Sequence, residues 1–353
     1  MEKTYHETSR IKYISRLREQ LDQLPSFLGE FFRGIGDRSE PRTQVAYSYD
    51  LVIFFEFLIE YRPSFKDKQI KELTVGDLEL VRAEDIELFM EYLSYYERPE
   101  DDRPVTWSNQ EYGKSRKLAA VRTLLSYFYK KQKISSNPAE LVDFPKMHEK
   151  EIVRLEVDEV ARLLDEVESG ELLSMHQQKF HAQTRLRDVA IVTLMLGTGM
   201  RVSECVGIDI QHIDLEVNGV KVTRKGGDEA IIYFGREVRA ALEEYLAERV
   251  SAEPLPGHTN ALFLSMQNKR ITDRAVQNLV KKYSKLVTTL KNISPHKLRS
   301  TYGTNLYRET GDIYLVADVL GHSDINTTRK HYAHMDEDRR RQAARVVKLR
   351  SED

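Results

Sequence analysis

The sequence predicts a mainly α-helical protein of two domains, with one small β-hairpin or sheet in its second half. Three observations carry this. Apolar residues recur at helical spacing through most of the 353 residues. Only two segments, 217–223 and 229–234, are β-branched and partly alternating, and the tight turn Arg224-Lys225-Gly226-Gly227-Asp228 separates them. A charged stretch from His148 to Arg154 divides two blocks, each long enough to bury a core.

Taken in order, residues 1–40 read as a helical N-terminal extension, with Leu17, Leu21, Leu24, Phe27, Leu28 and Phe31 on an apolar pattern. The segment is too short for a core of its own. Residues 41–147 form the first domain. Val45, Tyr49, Val52, Phe55 and Leu58-Ile59 make one helix, which Arg62-Pro63 ends. Asp85 to Tyr96 makes a second and Gly113 to Lys131 a third, with Leu118, Val121, Leu124-Leu125 and Phe128 inward. The polar, Pro-containing residues 97–111 read as a surface loop. Residues 148–156 are the linker and 157–336 the second domain. Within it, 175–187 reads as a loop or exposed helix with His176 and His181 in solvent, and 188–196 as a buried helix. The hairpin follows, then helix 237–249, a short strand 261–264 and helix 273–291. Residues 337–353 keep helical spacing but need something to pack on.

Hydrophobic content of 41% with 31% charge is that of a globular chain. A single cysteine, Cys205, excludes an internal disulfide framework and a cysteine-based zinc site; it reads as a small core residue. The N-terminus has no apolar signal core, and no run approaches the roughly 18 apolar residues of a membrane span, so the expected location is cytoplasmic. A net charge of −2 argues mildly against a nucleic-acid partner, but its distribution does not. From Tyr112 to Lys133 the chain carries Lys114, Arg116, Lys117, Arg122, Lys130, Lys131 and Lys133 and no acid, a pattern suited to phosphate contact.

The chemistry concentrates in Ser294–Met335. His296 and Arg299 are three apart and share a helix face. Gly311-Asp312 and Gly321-His322 break the stretch into short helices, and Tyr332 lies ten residues beyond His322. Earlier in the chain, Arg201 sits near a helix N-terminus, where an anion is favoured, and Lys225 sits at the mouth of the hairpin. Tyrosine beside imidazole and guanidinium groups suggests phosphoryl transfer with tyrosine as nucleophile.

This ordered set resembles the tyrosine recombinases (phage integrase family, Xer type). The matching stretches are TGMRVSE at 198–204, TRKGGDE at 223–229, PHKLRST at 295–301, LGHSDINTT at 320–328 and HYAH at 331–334. TQVAYSYDLVIFFEFL at 43–58 and the helix at 115–131 with NPAE at 137–140 resemble the family's helical, SAM-like core-binding domain. The resemblance implies a two-domain clamp, a core-binding domain followed by an α+β catalytic domain. It implies a site-specific recombinase with Tyr332 as nucleophile, forming a 3′-phosphotyrosyl link to DNA. Arg201 and Arg299 would hold the phosphate oxygens, Lys225 would protonate the leaving 5′-oxygen, and His296 would move a proton with Tyr332. His322 would bond the phosphate, and Glu204 would orient Arg201. No metal, ATP or other cofactor is implied.

In the first domain Thr43, Ser115, Arg116, Lys117 and Arg122 are the expected DNA contacts. The implied partners are double-stranded DNA with a specific site and a homotetramer on two such sites, with 337–353 docking in trans. A second recombinase or a DNA translocase stays open. The sequence departs from the family at Ser300, where a second His is frequent, and at Arg224, where Gly is common. Xer-like resolution of chromosome or plasmid dimers is the leading expectation. The alternatives are an integrase or excisionase of a mobile element, a non-catalytic architectural DNA binder, and a type IB topoisomerase.

Overall fold

The computed structural model describes residues 4–100, 103–148, 153–224 and 226–321. The chain forms two compact units divided between residues 150 and 151. The fold is mainly α with small antiparallel sheets, as the sequence predicts.

The first unit opens with α1 (Tyr5–Leu21) and α2 (Phe27–Gly34). Thr4 and Glu7 cap α1 reciprocally: Glu7 N–H donates to Thr4 Oγ1 (3.2 Å) and Thr4 N–H to Glu7 Oε2 (2.8 Å). α3 (Pro41–Tyr61) packs on α1, and α4 (Val75–Leu78), α5 (Ala83–Tyr92) and α6 (Glu111–Lys130) complete the helices. The first forty residues are more than a lead-in. Leu17, Leu24, Phe27, Leu28, Phe31 and Phe32 belong to the same buried cluster as α3, α5 and α6. Phe27 meets Phe55 and Phe128 edge-on, with ring centroids 6.1 and 5.5 Å apart. The extension alone could not bury those rings, so it completes its neighbour's core.

The expected loop at 97–111 is largely a ribbon, β1 (Tyr96–Glu100) paired antiparallel with β2 (Arg103–Trp107). Tyr96 lies opposite Trp107 and Pro99 opposite Pro104. A two-stranded ribbon is all edge, so proline, which weakens a strand reading of the sequence, is tolerated. Arg98 Nη2 ties the ribbon to Glu56 of α3 at 2.8 Å.

The second unit is built on α8 (Met175–Thr198), a single helix of 24 residues. α7 (Val157–Ser169), α10 (Arg236–Arg249) and α12 (Pro295–Thr310) pack on it, and α11 (Asp273–Val287) packs on α7 and on α9 (Val202–Val206). Because α8 runs unbroken from Met175, His181, Thr184 and Asp188 fall on one inward face. His181, expected in solvent, is therefore buried, with Nε2 2.9 Å from the Val167 carbonyl. β3 (Ile213–Asp214), β4 (Gly219–Thr223) and β5 (Glu229–Tyr233) form a sheet in that order, and β4–β5 is the hairpin the sequence predicts. Residues 261–264 make only isolated bridges, Ala261 to Asp209 and Leu264 to Arg270, where a strand was expected. α13 (Ile313–Leu320) ends the described chain, its N-terminus capped by Asp312 Oδ1, which accepts from Tyr314 and Leu315 N–H. No described helix is long and apolar enough to cross a membrane. Cys205 is fully buried, and burial pushes its thiol well above the ordinary range, away from reactivity.

Candidate active site

Two glycines give the site its shape. α8 ends at Gly199 with φ +65°, and α13 ends at Gly321 with φ +60°. Both are left-handed turns in which a side chain is strained. Both are also crowded. A Cβ at 199 would lie 2.4 Å from Tyr302 Cδ1 and 2.9 Å from Leu320 Cδ2, and one at 321 would lie 2.6 Å from Arg224 Cζ. The Gly199 turn sends the chain straight into Met200 and Arg201, at the N-terminus of α9.

Around these turns the guanidinium groups gather. Arg299, in the second turn of α12, is 4% exposed. It donates from Nη1 to the Gly199 carbonyl at 2.8 Å and from Nη2 to the Leu320 carbonyl. Arg201 donates from Nη2 to the Gly321 carbonyl at 3.0 Å. Its Nη1 pairs with Glu204 Oε1 at 2.7 Å, while Glu204 Oε2 accepts from the Arg201 backbone N–H at 2.7 Å. Glu204 is buried, so its carboxylate is a fixed abutment that holds both the main chain and the side chain of Arg201. Arg224 donates from Nη2 towards the Asp318 and Val319 carbonyls at 3.5 and 3.4 Å. The last four carbonyls of a helix have no partner within it and sit at its negative end. Here the carbonyls of 318–320, and that of Gly321 just beyond the helix, receive three arginines that lie as much as 120 residues away in sequence.

Of the expected catalytic residues, the structure thus brings together Arg201 and Arg299, with Glu204 orienting Arg201 as expected. His296 is exposed on α12, one turn before Arg299, and its carbonyl accepts from Ser300 Oγ at 3.1 Å. Lys225, His322 and Tyr332 lie outside the described residues. Tyr302, a second tyrosine close to Arg299 on α12, is half-buried against Gly199, and burial raises its phenol pKa, which suits packing better than nucleophilic attack.

Residues 153–339 match the phage integrase family. The chain belongs to it. Among curated relatives, tyrosine recombinase XerC of Caldanaerobacter subterraneus subsp. tengcongensis is 33% identical over 339 residues, covering 93% of this chain and 88% of that protein. XerC of Chlorobaculum tepidum is 30% identical over 329 residues, covering 90% and 92%. Among solved structures, XerH recombinase bound to palindromic difH substrate shares the fold, with a TM-score of 0.61 at 22% identity over 87% of this chain and 79% of that one. The Tn1549 transposon integrase shares it too, with a TM-score of 0.63 at 19% identity over 90% and 98%. The protein is a tyrosine-type site-specific recombinase, and the arginine cluster lies within the stretch that carries the family match.

The expected DNA contacts of the first unit divide differently from the sequence reading. Lys117 is 5% exposed; its Nζ donates to Asn109 Oδ1 at 2.9 Å and lies 3.5 Å from Asp50 Oδ1. Burial pulls its pKa down and the Asp50 charge only partly offsets this. The Arg122 guanidinium is spent on the carbonyls of Ala139 and Val142 and lies 4.4 Å over the Phe144 ring. These two of the run's cations face protein, and Lys117 in particular is a core residue rather than part of a solvated basic face. Its spacing shows why: Lys117, Val121, Leu124 and Phe128 follow the i, i+4, i+7, i+11 rhythm of one buried stripe. Arg116 is exposed and paired with Asp50 at 3.0 Å, while Thr43 and Ser115 are half-buried.

Proposed function

We propose that this protein cuts and rejoins double-stranded DNA at a specific site through a 3′-phosphotyrosyl intermediate on Tyr332. The observation that carries the proposal is the fixing of Arg201 and Arg299 on the adjacent carbonyls of Gly321 and Leu320. Two planar, permanently charged donor forks held side by side suit the two non-bridging oxygens of a phosphodiester. Their positions are set by backbone atoms before any substrate arrives, which is the condition for electrostatic stabilisation of a transition state.

In this scheme the Tyr332 hydroxyl attacks phosphorus as His296 takes its proton. The P–O5′ bond breaks, and Lys225 delivers a proton to the departing 5′-oxygen. His322 bonds the phosphate. The phosphotyrosyl link keeps the bond free energy, so the reverse attack by a 5′-hydroxyl reseals the strand without ATP. Residues 41–147 act as the core-binding domain and 157–336 as the catalytic domain. Likeness to XerC relatives along nearly the whole chain supports the resolution of chromosome or plasmid dimers by a tetramer on two sites.

The test is suicide-substrate trapping. A nicked DNA carrying the host's recombination site is expected to give a denaturation-resistant protein–DNA band with the wild type and none with Tyr332→Phe. A persistent band with Tyr332→Phe would assign the nucleophile elsewhere. In cells, the same substitution is expected to let plasmid multimers accumulate; unchanged multimer levels would redirect the role towards a mobile element.

For DNA affinity, Arg116 is the better-placed cation of the basic helix. Arg116→Ala is expected to reduce the slope of log K against log salt by about 0.9, the value for one lost phosphate contact, and Lys117→Met to leave the slope unchanged. Fluorescence anisotropy across a salt titration decides; a flattened slope for Lys117→Met would put that ammonium on the phosphate after all.

A further inference from the structure

We propose that Arg224 is a positioning residue for strand cleavage: it fastens the mouth of the β4–β5 hairpin to the C-terminal end of α13 and so sets where the next residue, Lys225, is delivered. The proposal rests on the reading of Lys225 as the proton donor to the leaving oxygen. It extends that reading to a side chain that the motif does not call for, since glycine is common at this place.

Both ends of Arg224 are tied. Its main chain closes the hairpin turn, the backbone N–H donating to the Asp228 carbonyl at 2.7 Å and its own carbonyl accepting from Gly227 N–H at 3.1 Å. Its side chain leaves the hairpin and reaches the Asp318 and Val319 carbonyls, while the guanidinium lies flush on Gly321. A guanidinium suits this berth, because the last turn of a helix carries partial negative charge, and the Asp318 carbonyl, which accepts from Gly321 N–H at 2.8 Å, keeps a second lone pair. Among the described residues of the turn, nothing comparable holds Gly226 and Gly227. Gly226 and Gly227 have φ of +100° and +98°, and around a Cβ built on Gly227 there is open space. Among the described residues 223–229, Arg224 is the one whose side chain bonds outside the hairpin; Glu229 pairs with Lys221 inside it.

The consequence is geometric. The α13 end already holds Arg201 at the Gly321 carbonyl and Arg299 at the Leu320 carbonyl. Arg224 is the third guanidinium on that helix end, and the only one covalently next to the proton donor. A general acid works only within hydrogen-bond reach of its target. A glycine-rich turn would otherwise sample many positions, and the Arg224 tether ties it to the end that also fixes the two phosphate-holding arginines. The Gly321 left-handed turn and its lack of a side chain are what let the guanidinium lie so close.

The test separates positioning of Lys225 from general folding. Nicked suicide substrates are prepared with the ordinary scissile phosphate and with sulfur in place of the bridging 5′-oxygen. In the second, the Tyr332 oxygen–phosphorus bond forms, the P–S bond breaks, and the thiolate leaves with the electron pair without needing a proton, because a thiol is far more acidic than an alcohol. On the oxygen substrate Arg224→Ala is expected to form covalent complex about 10- to 100-fold more slowly, part of the roughly 10²–10⁴-fold that a placed general acid supplies. On the sulfur substrate its rate is expected to return to about that of the wild type, and Lys225→Ala to behave in the same way. Arg224→Lys, which keeps a cation at the helix end, is expected to fall between. Rescue of Lys225→Ala without rescue of Arg224→Ala overturns the positioning role and leaves the Lys225 reading intact. Failure to rescue Lys225→Ala overturns both. Site binding by gel shift serves as the folding control, and Arg224→Gln carries the same comparison if the alanine variant does not bind.

Discussion

Arg299→Ala is expected to slow covalent complex formation by at least about 10²–10³-fold, the usual cost of removing one pre-placed donor from a developing oxyanion. Its place in the structure makes the effect larger than that of a surface arginine. The guanidinium is almost wholly buried and bridges two carbonyls from different elements, Gly199 after α8 and Leu320 at the end of α13. Removing it strips both carbonyls of a donor and frees two turns that also locate Arg201. Arg299→Lys is expected to recover little, because a single ammonium cannot span two fixed acceptors as a planar fork does. Single-turnover trapping gives the rate and thermal denaturation gives the stability cost. If the folded fraction of Arg299→Ala cleaved at the wild-type rate, the residue would be a strut between helices and the phosphate role would pass to Arg201 alone.

Much of this was legible in the sequence, and the gaps have physical causes. The β4–β5 hairpin was readable because β-branched runs flank a turn that needs left-handed residues, and Gly226 and Gly227 do adopt positive φ. The Arg201–Glu204 pair came with the family resemblance, and the three-residue spacing at a helix start explains it, since the carboxylate reaches back. Three things were not readable. The burial of Lys117 and the engagement of Arg122 depend on partners from α3 and from residues 139–142, and a charge run gives no sign of an Asp50 lying 67 positions earlier. The core role of Phe27, Phe31 and Phe32 needed the knowledge that α6 offers Tyr127 and Phe128 to receive them. The meeting of Arg201, Arg224 and Arg299 at one helix end is invisible in any window, because what joins them is a set of backbone carbonyls. Backbone acceptors leave no residue-type signal; only the glycine that frees them does, and Gly321 was legible merely as a helix stop.

The largest stability effect is expected at Asp188, midway along α8. Its carboxylate is 1% exposed. Oδ1 accepts from Arg187 Nη2 at 2.6 Å and Nε at 3.0 Å, and Oδ2 accepts from Tyr283 OH at 3.1 Å and Thr184 Oγ1 at 3.2 Å, with Lys282 Nζ 3.5 Å away. Arg187 is itself held by the Leu264 carbonyl at 2.9 Å. One buried anion therefore joins α8 to α11 and to the 261–264 segment. Burial pulls the Lys282 pKa down, with Asp188 opposing, and pushes the Tyr283 phenol far up, so the tyrosine stays a neutral donor to the carboxylate. Asp188→Ala removes the acceptor common to four donors and leaves Arg187, with 13% of its side chain exposed, beside Lys282 without the anion between them. Breaking a buried pair from one side in this way costs about 3–5 kcal/mol, a large part of the roughly 5–15 kcal/mol that a domain has to spend. Asp188→Asn is expected to cost less, since it keeps one acceptor oxygen, but its amide N–H groups then face other donors. Urea denaturation at constant m-value reads both. A loss under about 1 kcal/mol for Asp188→Ala would mean that water or a neighbour replaces the carboxylate. The expected loss would reach function as well: α8 leads directly into Gly199 and Arg201, and α11 packs on α12, which carries Arg299. The anion that secures those helices therefore helps fix both phosphate-holding arginines from more than ten residues away.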